Sequence, residues 1–206
     1  MSQALVWTGS RLQPEALAIL KGVADVFVSQ VGERNDWYEE ASAADVILVK
    51  GATAVTGEVM DRTGAGLRVI ARAGIGVDRI DLDAATQRGI MVVNTPDGPT
   101  ESTAEHAMAL MLNLCKQVMV GDRLLRSGRG FPVLSELTPG LEVLEATLGL
   151  VGLGRIGSRV AVIARVLGLQ VLAFDPFIPQ EQAAKLGVEM APSLEELLPQ
   201  AQIVSL

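Results

Sequence analysis

The sequence predicts an α/β protein built from two parallel-sheet domains, and three observations carry that reading. Short apolar runs recur roughly 20 residues apart through the first half of the chain, with helical patterns between them, the alternation that makes a parallel sheet covered on both faces. A glycine-rich turn, Gly152-Leu153-Gly154-Arg155-Ile156-Gly157, joins an apolar run to a helix-like stretch. The chain has 206 residues, enough for one large or two small buried cores.

The elements follow in order. Apolar runs at Leu5–Trp7, Val26–Val28, Val46–Val49, Val69–Ala71 and Met91–Val93 are the expected strands of a first domain, residues 1–99. Helical patterns at Glu15–Lys21, Asp36–Ala43, Glu58–Arg62 and Leu82–Arg88 fill the intervals. Pro14 suits a first helical turn, and Gly89 suits a left-handed C-cap. Asn94-Thr95-Pro96-Asp97-Gly98-Pro99 then breaks the alternation. Beyond it the pattern predicts one helix of about 25 residues, Thr103 to Arg126, opened by a capping box of Ser102 and Glu105 and stopped by Ser127-Gly128-Arg129-Gly130. Such a helix would span ~38 Å, more than a small domain needs. Residues 100–130 are therefore expected to connect two domains and to offer a homodimer surface.

The second domain is expected over residues 131–206. Phe131–Ala146, with Pro132 and Pro139, reads as a loop before its first strand at Thr147. A short helix (Gln180–Leu186), a short strand (Val188–Met190), a helix capped by Ser193 with Glu196, and a final strand (Ile203–Leu206) complete the chain. The stretch from Thr147 is shorter than the ~150 residues of a full six-stranded dinucleotide-binding fold. It reads as the first half of a Rossmann domain, with an unpaired edge at its last strand.

Composition excludes several classes. The net charge of −7 disfavours nucleic acid, because phosphate contacts need clustered Lys and Arg. No apolar run reaches the ~18 residues of a membrane span, and no basic segment precedes the first apolar run as a secretory signal would require. The single Cys115 excludes an internal disulfide framework and is expected as a buried small apolar residue in a cytoplasmic protein.

The glycine turn carries the chemistry. Gly152 allows the tight strand-to-helix turn, Gly154 lets backbone approach a pyrophosphate, and Gly157 lets the helix pack closely on the sheet. The pyrophosphate would sit on unpaired N–H groups at the helix N-terminus. Asp175 ends the next apolar run, Val171-Leu172-Ala173-Phe174, near the ~20-residue spacing of the carboxylate that binds the adenosine ribose. A carboxylate there repels a 2′-phosphate, and Pro176-Phe177-Ile178 supplies no Arg to welcome one. The cofactor expected is NAD, not NADP.

With these landmarks placed, the chain resembles the D-2-hydroxyacid dehydrogenase family, and within it the phosphoglycerate-type branch. Val49-Lys50-Gly51-Ala52-Thr53-Ala54-Val55-Thr56, Arg72-Ala73-Gly74-Ile75-Gly76-Val77-Asp78, Ala84-Ala85-Thr86-Gln87-Arg88-Gly89-Ile90, Val93-Asn94-Thr95-Pro96, Ser102-Thr103-Ala104-Glu105-His106, the Gly152–Gly157 turn and Phe174-Asp175-Pro176 occur in the family's order. The resemblance implies a flavodoxin-like substrate domain followed by a Rossmann domain, here truncated, with substrate in the cleft between them. It implies hydride transfer between NAD and a small 2-hydroxy or 2-oxo acid of the 3-phosphoglycerate, hydroxypyruvate or glyoxylate class. Arg155 and Ile156 would contact the pyrophosphate, and Asp175 the ribose. Ile75 and Thr103 would line the nicotinamide end, while Lys50, Gly51, Gly74 and Gly76 would serve the substrate. Successive N–H groups at a glycine-rich turn can indeed converge on one anion. A strand-end turn that merely needs glycine is the competing reading.

Two departures qualify the substrate. The branch usually has Arg, Ser and a later Lys where this chain has Lys50, Gly51 and Ala54. Exchanging a bidentate guanidinium for an ammonium, and losing the later cation, weakens the case for a phosphorylated substrate. Glu145-Ala146 also replaces a usual Gly-Lys pair before the first Rossmann strand.

No catalytic residue is expected within these residues. Reduction of a ketone needs a proton donor near neutral pH, usually histidine, and the family's Arg and His–Glu pair are expected beyond Leu206. His106, the single histidine, directly follows Glu105, so the two are not stacked as a relay. Arg72 is a candidate anion binder or a structural arginine. The chain by itself is expected to bind NAD with little or no turnover. The alternative is a non-catalytic, NAD(H)-responsive binding protein that signals through the long-helix dimer surface.

Overall fold

The computed structural model describes residues 3–9, 11–29, 37–128, 135 and 138–206. The chain divides into two compact units, Met1–Pro99 and Thr100–Leu206, each built on its own sheet. In the first unit, β1 (Ala4–Thr8), α1 (Pro14–Lys21), β2 (Ala24–Val28), α2 (Trp37–Glu40), β3 (Val46–Val49), α3 (Gly57–Thr63), β4 (Val69–Arg72), α4 (Leu82–Gln87) and β5 (Met91–Asn94) alternate. The strand order is β2-β1-β3-β4-β5, parallel throughout, which is the flavodoxin-like order.

Register decides where the core lies. Trp7, Ile47, Ile70 and Val92 are aligned across neighbouring strands on one face. Right-handed crossovers place α2, α3 and α4 over that face, and the residues pack there with Trp37, Met60 and Ala84. Trp7 stacks on Trp37 with ring centroids 4.7 Å apart, a contact worth ~0.5–1.5 kcal/mol beyond its area. Two helices start on side-chain caps: Thr56 accepts from the Val59 amide and Asp81 from the Ala84 amide. Because the strands are parallel, the loops after β3, β4 and β5 all leave from one edge of the sheet.

The helix expected over Asp36–Ala43 is shorter. Asp36 lies outside the described residues, and α2 gives way to a turn closed by the Ala44 amide on the Ala41 carbonyl at 2.9 Å. Leaving the helix lets Ala41 and Ala44 bury almost completely as the chain enters β3. Packing overrides a periodicity that alone would extend the helix.

In the second unit, α5 (Thr100–Lys116) and α6 (Val118–Arg126) precede β6 (Thr147–Val151), α7 (Arg155–Val166), β7 (Gln170–Phe174), α8 (Gln180–Lys185), β8 (Glu189–Met190), α9 (Leu194–Leu197) and β9 (Ile203–Ser205). The order is β8-β7-β6-β9, again parallel. Counted from β6 this is 3-2-1-4, the Rossmann order as far as its fourth strand. The order reverses between β6 and β9, with β9 at the edge among the described residues. Ser193 caps α9 as expected, accepting from the Glu196 amide at 3.3 Å.

The single long helix is the main correction. Two helices stand in its place, separated at Gln117, whose φ of 54° is left-handed. Asn113 Oδ1 accepts the Met119 amide at 2.9 Å, and Gln117 Nε2 donates to the Thr138 carbonyl and hydroxyl. These side-chain bonds replace the lost intrahelical ones, so the break leaves no trace in the apolar spacing. The start is also earlier. The helix begins directly after Pro99, so Ser102 and Glu105 lie inside it and form no capping box, and His106 falls in its second turn. At 17 residues, α5 is about 26 Å long. Its buried stripe Ala104, Met108, Met111, Cys115 follows the i, i+4, i+7 spacing of an amphipathic helix and joins Leu148, Leu150, Val160 and Ala164 in one core. Burying a side chain the size of Met108 contributes ~1.5–3 kcal/mol. Of the expected helix stop and loop, Arg129, Gly130, residues 131–134 and residues 136–137 lie outside the described residues. Among the described residues no helix is long and apolar enough to cross a membrane.

Candidate functional site

The turn after β6 has a defined geometry. Gly152 adopts φ 101°, a conformation that favours glycine, and its amide donates to the Phe174 carbonyl at 2.8 Å. A Cβ on Gly157 would stand 2.2 Å from the Gly152 carbonyl oxygen, so no other residue fits without moving backbone. Gly154 differs from both. It takes φ −69°, which any residue can adopt, and a Cβ there would meet nothing within 4 Å. Nothing in the chain itself demands glycine at 154, and its bare backbone faces open space.

Gly154 is also the N-cap of α7, and no side chain caps that end. The first backbone bond of the helix is the Ser158 amide to the Gly154 carbonyl, which leaves the Ile156 and Gly157 amides for an outside acceptor. No acidic residue stands in the first turn of α7, whose positive dipole end favours an anion. Ser158 Oγ steadies the turn by donating to the Leu153 carbonyl at 2.8 Å. Arg155 and Ile156 are the first two residues of α7.

Asp175 follows β7 and is tied to the same turn. Its Oδ2 accepts the Leu153 amide at 2.8 Å, and its Oδ1 accepts the Phe177 amide at 2.8 Å. The Leu153 amide most strongly, then that of Phe177, hold this carboxyl below the usual carboxylate range; burial opposes them, and the Ile178 amide adds a smaller lowering effect. A carboxylate has about four lone-pair positions, so even three amide donors leave room for a sugar hydroxyl. The bonded turn, the uncapped helix end, the open space at Gly154 and the adjacent carboxylate fit a dinucleotide. Thr103 lies exposed on α5. Among the described residues no cluster of three or more His, Cys, Asp or Glu could hold a metal ion.

In the first unit, the loops after β3 and β4 carry the other expected residues. Lys50 and Gly51 are exposed, Gly51 at φ 63°, and Thr53 Oγ1 donates to the Lys50 carbonyl at 3.0 Å. Arg72, the last residue of β4, joins the two loops: Nη2 donates to the Gly51 carbonyl at 2.7 Å and Nε to the Gly76 carbonyl at 3.2 Å. The sequence leaves Arg72 open as an anion binder or a structural arginine, and its bonds to two backbone carbonyls fit the second reading. Asn94 and Thr95 are visible in the sequence only as part of a motif. They prove to reach the glycine loop, Asn94 Nδ2 donating to the Ile75 carbonyl at 2.7 Å and Thr95 Oγ1 accepting the Gly74 amide at 2.9 Å. The available signal was that a polar residue ends the strand following the loop and a second comes directly after it. The Gly74 amide is therefore engaged internally, while those of Ile75, Gly76 and Val77 have no hydrogen-bond partner among the described residues.

Comparison with known proteins agrees with this geometry. The sequence profile of "D-isomer specific 2-hydroxyacid dehydrogenase, catalytic domain" matches residues 5–202. A D-3-phosphoglycerate dehydrogenase of Methanocaldococcus jannaschii is 37% identical over 195 residues, 95% of this chain and 36% of that protein. A glyoxylate reductase structure from Paecilomyes thermophila superposes with a TM-score of 0.81 at 26% identity, covering 98% of this chain and 64% of that one. The D-lactate dehydrogenase of Aquifex aeolicus, solved with NAD and lactic acid, gives 0.73 at 28% identity over 97% of this chain and 59% of that one. The chain spans little more than a third of the length of the curated relatives it matches.

Proposed function

Because the chain belongs to the D-isomer specific 2-hydroxyacid dehydrogenase family, we propose that it binds NAD on the turn after β6 and the carboxylate of a small 2-hydroxy or 2-oxo acid on the loop after β4. The observation that carries the cofactor assignment is the Asp175 carboxylate, bonded to the Leu153 amide of the glycine turn. The assignment is supported by the NAD-bound relative. Bound there, NAD supplies a hydride acceptor or, reduced, a hydride donor. Gly154, Arg155 and Ile156 hold the pyrophosphate through backbone N–H groups, Gly157 keeps helix and turn in contact, and Asp175 accepts from the ribose and repels a 2′-phosphate. Ile75 and Thr103 are assigned to the nicotinamide end. Titration of the protein with NAD and NADP tests the reading: NAD should bind at least tenfold more tightly, and equal affinities would refute it.

On the substrate side, the amides of Ile75, Gly76 and Val77 form the carboxylate-binding group. Gly74 supports it, and Lys50 and Gly51 form the neighbouring wall. An unphosphorylated acid is favoured, since Lys50, Gly51 and Ala54 replace the usual Arg, Ser and Lys. Relatives act on phosphoglycerate, glyoxylate or lactate, a range that agrees with a site built around the shared 2-oxo acid group. Proton transfer is not assigned to any residue of this chain, because His106 is exposed on α5 and directly follows Glu105. Little or no turnover is expected from these residues alone when NADH is mixed with glyoxylate, hydroxypyruvate, 2-oxoglutarate or phosphohydroxypyruvate. Sustained NADH oxidation would mean that these residues contain a proton donor, against this reading.

Association into a homodimer belongs to the same proposal. Val118, Met119, Val120 and Leu125 of α6 are exposed, as are Leu110 and Leu114 of α5, and these exposed apolar side chains are the surface assigned to the partner. A monomer at micromolar concentration in sedimentation equilibrium would remove the dimer from the reading.

A further inference from the structure

The segment Gly74–Val77 offers three adjacent amides, yet it is neither a helix N-terminus nor a strand end whose geometry would fix their direction. Something else must set it. In a planar trans peptide the carbonyl and the following N–H point opposite ways. Whatever holds the carbonyl of one residue therefore aims the amide of the next. Here three consecutive carbonyls are each held by a different donor. The Thr95 amide donates to the Gly74 carbonyl at 3.0 Å, Asn94 Nδ2 to that of Ile75 at 2.7 Å, and Arg72 Nε to that of Gly76 at 3.2 Å. Each of the Ile75, Gly76 and Val77 amides then points away from the donor that holds the carbonyl of its own peptide.

We infer that Arg72, Asn94 and Thr95 are positioning residues, which hold the peptide planes of this loop so that its amides converge on a carboxylate. The inference rests on the loop being the carboxylate site proposed above. Arg72 adds a second constraint, because its Nη2 bond to the Gly51 carbonyl at 2.7 Å fixes the loop after β3 in register with the loop after β4. Thr95 Oγ1 occupies the Gly74 amide at 2.9 Å, which withdraws it from the anion and leaves a set of three. Backbone donors held in advance cost little reordering when the ligand arrives. An amide free to rotate would be solvated and would bind an anion weakly.

Oxalate, a small dicarboxylate with no reactive ketone, serves as the probe. In the 15N-labelled 206-residue protein, oxalate should shift the amide signals of Ile75, Gly76 and Val77 more than that of Gly74. Asn94→Ala and Arg72→Gln should each weaken oxalate binding at least tenfold, with the affinity for NAD unchanged. Thr95→Ser, which keeps the hydroxyl, should bind oxalate within twofold of the original protein. Original affinity in both Asn94→Ala and Arg72→Gln would overturn the inference while leaving the carboxylate site in place. Unresponsive Ile75, Gly76 and Val77 signals in the unsubstituted protein would instead overturn the site itself. Hydrogen exchange gives a test that needs no substitution. Gly74 should be protected and Gly76 and Val77 should exchange freely; protection of the latter two would overturn the inference.

Discussion

Two glycine loops in this chain offer backbone amides to an anion, and they aim them by different means. After β6, the amides are aimed by α7 itself, whose first-turn N–H groups lie parallel by helical geometry. Glycine there turns the chain at Gly152, lets α7 pack on the turn at Gly157 and leaves open space at Gly154, but it does not aim the amides. After β4 no helix follows directly, and the amides are aimed by side chains and backbone from the ends of β4 and β5 that hold the carbonyls. The first device is local and periodic. The second is assembled from residues some twenty positions apart in sequence, brought together by parallel strands that end at the same edge. A fold can thus build an anion site from one continuous motif or from several separate ones, and the two differ in which substitutions damage them.

Gly157→Ala should have the largest effect. Its Cβ would lie 2.2 Å from a backbone oxygen, so the protein should lose about 3 kcal/mol of stability, the upper end for overpacking, together with NAD binding. A urea midpoint equal to that of the original protein would mean that the turn is not closed as described. Asp175→Asn should cost about 1.5–3 kcal/mol of NAD affinity through loss of charged hydrogen bonds, and it should narrow the preference over NADP. Its pH dependence has a defined sign. The folded carboxyl is held below its ordinary value, so its contribution to stability is full above the unfolded pKa of about 3.9 and fades as pH falls through the lower folded value. The stability difference between the original protein and the Asp175→Asn variant should therefore be flat from neutral pH to about pH 5 and shrink below about pH 4. A difference that grows on acidification would contradict the Leu153 bond.

Gly154→Ala separates binding from folding within the first loop. With open space at its Cβ, stability should change by no more than about 1 kcal/mol, the scale of an N-cap exchange. NAD affinity should nevertheless fall tenfold or more, about 1.4 kcal/mol. Normal NAD affinity would show that backbone at 154 does not approach the pyrophosphate. Ser158→Ala sharpens the contrast further. It removes a hydrogen bond to the Leu153 carbonyl and should cost about 1 kcal/mol of stability with little effect on NAD, since the helix still aims the amides. The comparable loss of a carbonyl donor in the second loop, Asn94→Ala, should strike ligand affinity instead.

The two loops also differ in how far they can be read from sequence. Gly152, Gly154, Gly157 and Asp175 are legible because each role follows from spacing along one strand–helix–strand unit. Asn94 and Thr95 are not, because nothing in a linear pattern says that the end of β5 will meet the loop after β4. The break at Gln117 escapes for a related reason. Asn113 and Gln117 make their replacement bonds to Met119 and Thr138, and neither contact disturbs the apolar spacing that extends the helix on paper. The same spacing does locate the buried face of α5, since Ala104, Met108, Met111 and Cys115 fall on one stripe.

The sequence by itself determined the α/β alternation, the parallel order's raw material and the dinucleotide turn, because periodicity, turn chemistry and helix-end geometry act over a few neighbouring residues. Only the tertiary structure decided that Asp175 grips the Leu153 amide, that α5 ends at Lys116, and that Arg72, Asn94 and Thr95 hold three successive carbonyls. Those outcomes depend on strand register and on which hydrogen-bond partners lie within about 3 Å once the sheets form, and no spacing along the chain encodes that distance.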